Sequence, residues 1–131
     1  MSNRASSTLP RMTAPRNLDI ARAWLRAFNA HDVEALVALY DDRAEHTSPK
    51  IRKLHPETGG KILGKAALTE WWKDAIARVP GLRYVETALT ANTERVVLEY
   101  VRHATNEEPM LVAEVFEVRA ERIVASRVYH G

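Results

Sequence analysis

The spacing of the hydrophobic positions changes partway along this chain. From Asn17 to Val79 they recur every three or four residues, and from Leu82 onward every second residue. Ile20, Ala21, Trp24, Leu25 and Phe28 form a first stripe, with Arg22 and Arg26 opposite. Asn17 can cap that helix, and Asp19 in its first turn suits the dipole. Asn29-Ala30-His31 breaks it. Asp32 then caps a shorter second helix with Val33, Leu36, Val37 and Tyr40 on one side. Asp41-Asp42-Arg43 ends this helix, and Ala44–Ser48 reads as a short strand closed by Pro49. The polar stretch 50–64, with Pro56 and Gly59-Gly60, reads as a loop or irregular hairpin. Lys65–Val79 predicts a third helix, with Leu68, Trp71, Trp72, Ala75, Ile76 and Val79 inward, and Pro80-Gly81 stops it.

The alternating region predicts strands near 82–90, 95–103, 110–119 and 122–130. Helices first and antiparallel strands afterwards define an α+β domain. Three N-terminal helices should pack on a strongly curved, mainly antiparallel sheet that encloses a pocket.

Two of these strands carry acids where an apolar surface is expected. Val97, Glu99, Val101 and His103 share one face of their strand, and Met110, Val112, Glu114 and Phe116 share one face of the next. If the turn pairs Ala104 with Pro109, Glu99 falls directly across from Glu114. Carboxylates on an apolar surface are costly unless something uses them. If both point inward, repulsion and desolvation should raise at least one pKa by about a unit or more, leaving a proton shared near neutrality. A one-residue slip would instead turn Glu99 outward. The structural alternative for Glu114 is a buried acid satisfied by Trp24, a tyrosine, or an arginine such as Arg102 or Arg127.

Composition narrows the classes. At 131 residues the chain is one domain, and it contains no cysteine, which removes disulfides and thiolate chemistry. No apolar run approaches the roughly 18–20 residues that span a membrane. Residues 1–16, rich in Ser, Thr, Arg and Pro, read as a disordered tail rather than a secretory signal, and the domain as 17–131, with a cytoplasmic location expected. The tail holds Arg4, Arg11 and Arg16 and no acid. The remaining 16 basic and 17 acidic residues give the domain a formal charge of −1, without the basic footprint of a nucleic-acid binder.

Several local phrases resemble the nuclear transport factor 2-like superfamily, which includes ketosteroid isomerases, SnoaL-like polyketide cyclases and limonene epoxide hydrolases. They are Ala27-Phe28-Asn29-Ala30-His31-Asp32, Leu36-Val37-Ala38-Leu39-Tyr40, Ala44 through Pro49, Gly64-Lys65-Ala66-Ala67-Leu68 with Trp71-Trp72, and Arg122-Ile123-Val124 through Arg127. The resemblance covers residues 17–131 and implies a cone-shaped domain with a pocket. It also implies that His46, Ser48, Val97, Glu99, Val101, His103, Glu114, Ser126, Val128 and His130 face the cavity. The isomerase general base would fall at Ser48, whose hydroxyl has no useful basicity near neutral pH. The oxyanion-donating tyrosine would fall at Trp24, a donor-only indole. Tyr40 keeps a supporting tyrosine, Trp72 replaces another, and Glu114 matches the family's protonated aspartic acid. Standard ketosteroid isomerisation is therefore not expected.

The expected catalytic set is Glu114, His46, His130 and Glu99, with a histidine as base oriented by Glu114. The expected ligand-lining set is Trp24, Tyr40, Ser48, Trp72, Val101, His103, Val112, Phe116, Ser126 and Val128. No HxH or HExxH spacing occurs, so no metal and no cofactor are expected. Lys50, Arg52, Lys53, His55 and Lys61 make a basic loop, either simply solvated or a clamp for an anionic group at the cavity mouth. One reading is an acid–base isomerase, cyclase or hydrolase acting on a small, partly apolar molecule. The others are a non-catalytic ligand-binding domain and a dimerisation module, with a homodimer expected under all of them and Leu111, Ala113 and Val115 as its seam.

Overall fold

The computed structural model describes residues 13–131. Most of the expected tail, residues 1–12, lies outside the described residues. Its end does not match the expectation. Thr13, not Asn17, caps helix α1 (Ala14–Asn29), with its side chain accepting from the Arg16 amide and Pro15 in the first turn. Asn17 is instead fully buried, and its amide donates to the Asn92 carbonyl at 2.8 Å. A proline just after a threonine starts a helix better than an asparagine two residues later, so the helix begins earlier than the hydrophobic stripe shows.

Helix α2 (Val33–Ala38) is capped by Asp32 as expected. Strand β1 (Tyr40–Thr47) follows at once, so Asp41-Asp42-Arg43 is strand rather than helix end. The stretch read as a loop contains helix α3 (Pro49–Leu54), a 3₁₀ turn (Pro56–Thr58) and strand β2 (Lys61–Leu63). Ser48 caps α3 by accepting from the Lys50 amide, and Pro49 opens it. This Ser-Pro pair was a helix start as well as a strand end. Helix α4 (Lys65–Arg78) then leads to strands β3 (Arg83–Ala91), β4 (Arg95–His103), β5 (Met110–Arg119) and β6 (Arg122–His130).

The six strands form one curved, open sheet in the order β2-β1-β6-β5-β4-β3, antiparallel throughout except where β1 runs parallel to β6. Bulges between Glu86 and Ala88 and between Glu117 and Val118 add local twist and bend. The helices cover one face of the sheet. Trp24, Phe28, Leu36, Tyr40, Leu68, Leu98, Tyr100 and Phe116 are almost wholly buried between the layers. Trp24 stacks on Phe28 at 5.4 Å between ring centres and meets Phe116 at 5.1 Å, which fastens α1 to β5.

The β4–β5 hairpin departs from the expected register by one residue. Arg102 pairs with Met110, Leu98 with Glu114, and Glu99 with Ala113, so the last ladder pair encloses the seven residues 103–109 and Glu99 is not opposite Glu114. The turn is held from outside. The Thr105 amide donates to the Pro80 carbonyl at 2.9 Å, and Asn106 takes a left-handed φ of 64°. Gly81, also at positive φ, lies so close beneath that a Cβ there would sit 2.3 Å from Thr105 Oγ1. The inward face of β4 is therefore Val96, Leu98, Tyr100 and Arg102, all buried. Val97, Glu99, Val101 and His103 lie on the outer face.

Candidate functional site

Between the helices and the concave face of the sheet lies a cavity with about 50 Å³ of enclosed space, which widens to an open mouth. Its walls come from α1 (Trp24, Phe28), α4 (Trp71, Trp72, Ala75, Arg78) and the strand residues His46, Tyr84, Tyr100, Arg102, Val112, Glu114, Val128 and His130. Ser48, Lys50, Val79 and Leu82 complete the lining.

The floor is a buried polar network. Trp24 Nε1 donates to Tyr40 Oη at 3.1 Å, Tyr40 Oη lies 2.9 Å from Ser126 Oγ, and Ser126 Oγ lies 2.6 Å from His46 Nδ1. The direction of this chain follows from its end. An indole N–H only donates, so Tyr40 accepts there and must give its own proton to Ser126. Ser126 then donates to His46 Nδ1, which places the imidazole proton on Nε2; the reverse order at this link leaves the buried Ser126 proton without an acceptor. Burial lowers the His46 pKa to about 3, so the ring is neutral near pH 7. A neutral histidine whose acceptor nitrogen is already engaged is a poor general base.

Glu114 is the second element of the floor. It is 1% exposed, and burial raises its pKa to about 8 against the opposing hydrogen bond that its Oε1 accepts from Tyr100 Oη at 3.0 Å. Its other oxygen, Oε2, is buried without a hydrogen-bond partner; His46 Nδ1 stands 4.0 Å away, outside bonding range. A carboxylic acid in this state holds its proton near neutral pH. Tyr84 stacks on Tyr100 at 4.1 Å and on Phe28 at 4.0 Å, which makes a flat aromatic wall beside the acid. Burial, and then the nearby Glu114, push the phenols of Tyr40, Tyr84 and Tyr100 above their ordinary range, so all three are donors.

The expected residues divide accordingly. Glu114, His46, Ser48, Trp24, Trp72, Val112, Val128 and His130 line the cavity. Tyr40, Phe116 and Ser126 are buried behind the lining, where Tyr40 and Ser126 hold His46. Glu99, Val101 and His103 are corrections: the register turns all three to the outer face, so no glutamate pair exists. His130 sits at the mouth, across from Val112 in the ladder, while Glu114 lies across from Val128. Ser126 rather than Glu114 orients His46. Arg127 pairs with Glu117, away from Glu114. Among the described residues, no three histidine or acidic side chains gather closely enough to hold a metal ion.

The residues missed by the sequence reading are Tyr84, Tyr100 and Arg102. The alternate face of β4 is as apolar as the one chosen, so only the odd-length turn, with Asn106 at its left-handed position, carried the signal for Tyr100 and Arg102.

A helix-covered, curved and open α+β sheet of this strand order defines the class of cone-shaped domains. The sequence profile of the SnoaL-like domain matches residues 21–126, and the chain belongs to that family. Among solved structures, a SnoaL-like protein of unknown function from Burkholderia thailandensis is 26% identical, with a TM-score of 0.79 over 92% of this chain and 98% of that one. TerC, co-crystallised with polyporic acid, is 18% identical, with a TM-score of 0.77 over 88% of this chain and 92% of that one. A protein with a ketosteroid isomerase-like fold from Catenulispora acidiphila, in complex with trimethylamine, is 18% identical, with a TM-score of 0.69 over 85% and 84%. No curated protein matches the chain. Among the described residues no helix is long and apolar enough to cross a membrane.

Proposed function

We propose that this domain binds a small, partly apolar molecule by its carbonyl or hydroxyl oxygen, with protonated Glu114 as the polarising donor. The observation that carries the reading is Glu114 Oε2, buried in the cavity wall without a partner on a carboxyl group that keeps its proton. An unsatisfied buried donor costs on the order of 1–3 kcal/mol, which an incoming acceptor would recover. The aromatic wall of Phe28, Tyr84 and Tyr100 suits a flat apolar body.

Isomerase, cyclase or hydrolase chemistry would then begin with general-acid assistance from Glu114. The base is the weaker half. Ser48 is occupied as a helix cap, and His46 is neutral with Nδ1 engaged. This favours binding and polarisation over proton shuttling, and a non-catalytic ligand-binding domain is the second reading. A homodimer through the outer sheet face, where Leu111 and Tyr129 are exposed, belongs to the same proposal; sedimentation of the Leu111→Glu variant as a monomer would support it, and an unchanged dimer would remove that face.

Acetophenone tests the donor. Its binding should quench the cavity tryptophans, and its carbonyl stretch should move to lower frequency in the wild type. With Glu114→Met, quenching should remain and the shift should vanish. Raising pH through about 8 should erase the wild-type shift as Glu114 ionises. A bound ketone with an unshifted carbonyl band would refute the reading.

A further inference from the structure

The mouth of the cavity is built differently from its floor. Arg102, on the inward face of β4, is 4% exposed. It spends Nη1 on Glu107 Oε1 at 2.6 Å, and no other side-chain hydrogen bond of its guanidinium is made among the described residues. A guanidinium carries five N–H donors in a planar fork, so most of its donor capacity stays unused inside a cavity wall. Lys50, half-buried at the start of α3, forms no ion pair among the described residues although it lines the same cavity. Arg78 lines it as well and is paired with Asp74 at 3.0 Å. His130 closes this rim from the end of β6.

These cations feel one another. Desolvation first, and then Arg102, depress the Lys50 pKa, with Glu107 acting in the opposite sense; Lys53 and Arg78 add to the depression. Desolvation, Lys50 and Arg102 likewise depress the pKa of His130. Three lining cations against the two carboxylates of Asp74 and Glu107 leave one positive charge without a counterpart. A folded domain holds an unpaired ammonium beside a buried guanidinium only at a cost, and an anion seated between them removes that cost.

We propose that the ligand of this cavity carries a carboxylate, which seats between Lys50 and the free donors of Arg102 at the mouth. This inference rests on the reading of the cavity as a ligand pocket and adds the substrate class. The planar fork of Arg102 matches the planar carboxylate, and a single uncompensated positive charge suits a monoanion better than a dianion. In the ladder, Arg102 lies opposite Met110 and Glu114 lies four residues further along β5, or about 13 Å at roughly 3.3 Å per residue. The molecule therefore has two polar ends: a carboxylate at the mouth and an oxygen acceptor at the acid on the floor, joined by an apolar body along the aromatic wall.

Tryptophan fluorescence titrations with 3-phenylpropanoate and 3-phenylpropanamide test this on the full chain. The two probes share shape and apolar body and differ in charge. The acid should bind at least about tenfold more tightly than the amide, since ionic hydrogen bonds are roughly twice as strong as neutral ones. Lys50→Gln should remove most of that preference, and added salt should narrow it in the wild type. Arg102→Gln should do the same, but it replaces a buried residue; Lys50→Gln, at the half-exposed start of a helix, keeps the test usable if the arginine variant does not fold. Equal binding of acid and amide by the wild type, or an undiminished preference in Lys50→Gln, overturns the carboxylate site and leaves the pocket standing. Failure of both probes to bind overturns the pocket reading itself, and the carboxylate site with it.

Discussion

The floor and the mouth of one cavity handle buried polar groups in opposite ways. At the floor, burial takes the charge away: Glu114 keeps its proton, His46 has lost one, and Ser126 and Tyr40 complete a chain of neutral hydrogen bonds. At the mouth, Arg102 cannot give up its proton, so its charge is met by Glu107 at the surface, while the neighbouring Lys50 is left unmatched among the described residues. The difference lies in chemistry as much as depth, because carboxyl and imidazole groups can become neutral and a guanidinium cannot. The floor is thus suited to holding an uncharged oxygen and the mouth to holding an anion.

The sharpest way to break this contrast is to interrupt the floor chain. Ser126→Ala leaves the Tyr40 proton and His46 Nδ1 unpaired in a dry interior, and should cost about 2–4 kcal/mol in chemical denaturation. A loss below about 1 kcal/mol would show that the network does not organise the floor.

The pH dependence of stability separates the regions further. Glu114 has a folded pKa raised to about 8, above its unfolded value, so the folded state retains a proton that the unfolded chain loses. Its contribution is therefore most favourable below the ordinary carboxylate range and falls between about pH 4.5 and 8 by no more than about 1.4 kcal/mol per unit; His46 offsets it below about pH 6.5, so the fall in total stability shows from about pH 6.5 to 8. Glu114→Gln should flatten that fall. His46, with its pKa lowered to about 3, acts in the other direction: its folded state resists protonation, so stability should also decline as pH drops below about 6.5. Denaturation midpoints of wild type and Glu114→Gln across this range decide the matter; parallel curves would mean that Glu114 is ionised in the folded protein.

The mouth should give the smallest effect. Arg102 holds the Glu107 carboxyl below its usual range, so this ion pair stabilises above the ordinary carboxylate pKa and is lost as pH falls through the lower, folded value. Because Glu107 is about half exposed, Glu107→Gln should cost about 0.5 kcal/mol or less near neutral pH. It should also tighten binding of 3-phenylpropanoate by freeing Arg102. Unchanged carboxylate affinity in this variant would separate Arg102 from the proposed site.

How much of this was legible in the sequence depends on whether an element's two faces differ. Helices α1 and α4 have one apolar side and one charged side, and in strand β5 the outer side ends in Glu117 and Arg119, which leaves the side carrying Glu114 inward as expected. Strand β4 has Val96, Leu98, Tyr100 and Arg102 on one side and Val97, Glu99, Val101 and His103 on the other, so both sides mix apolar and ionisable residues. Periodicity alone cannot choose between such faces. Helix α3 was missed because its six residues are too few for a hydrophobic period, although Ser48-Pro49 is a sound helix start. From the sequence Arg102 reads only as a structural partner for Glu114, because its place in the cavity depends on a turn held by contacts with Pro80 and Gly81.

That turn acts on the cavity as a reading frame acts on a message. The seven residues 103–109 enclosed by the last ladder pair determine which of two interleaved sets of β4 side chains is presented inside: Leu98, Tyr100 and Arg102, or Val97, Glu99 and Val101. Adding or deleting one residue there would exchange the sets without altering a letter of the strand. A tyrosine hydroxyl and a guanidinium would leave the cavity, and a second carboxyl group would enter it beside Glu114. The hairpin beside the cavity mouth is therefore a point at which a domain of this architecture changes the chemistry of its cavity in one step, provided β3 and the Pro80-Gly81 seat accommodate the new frame.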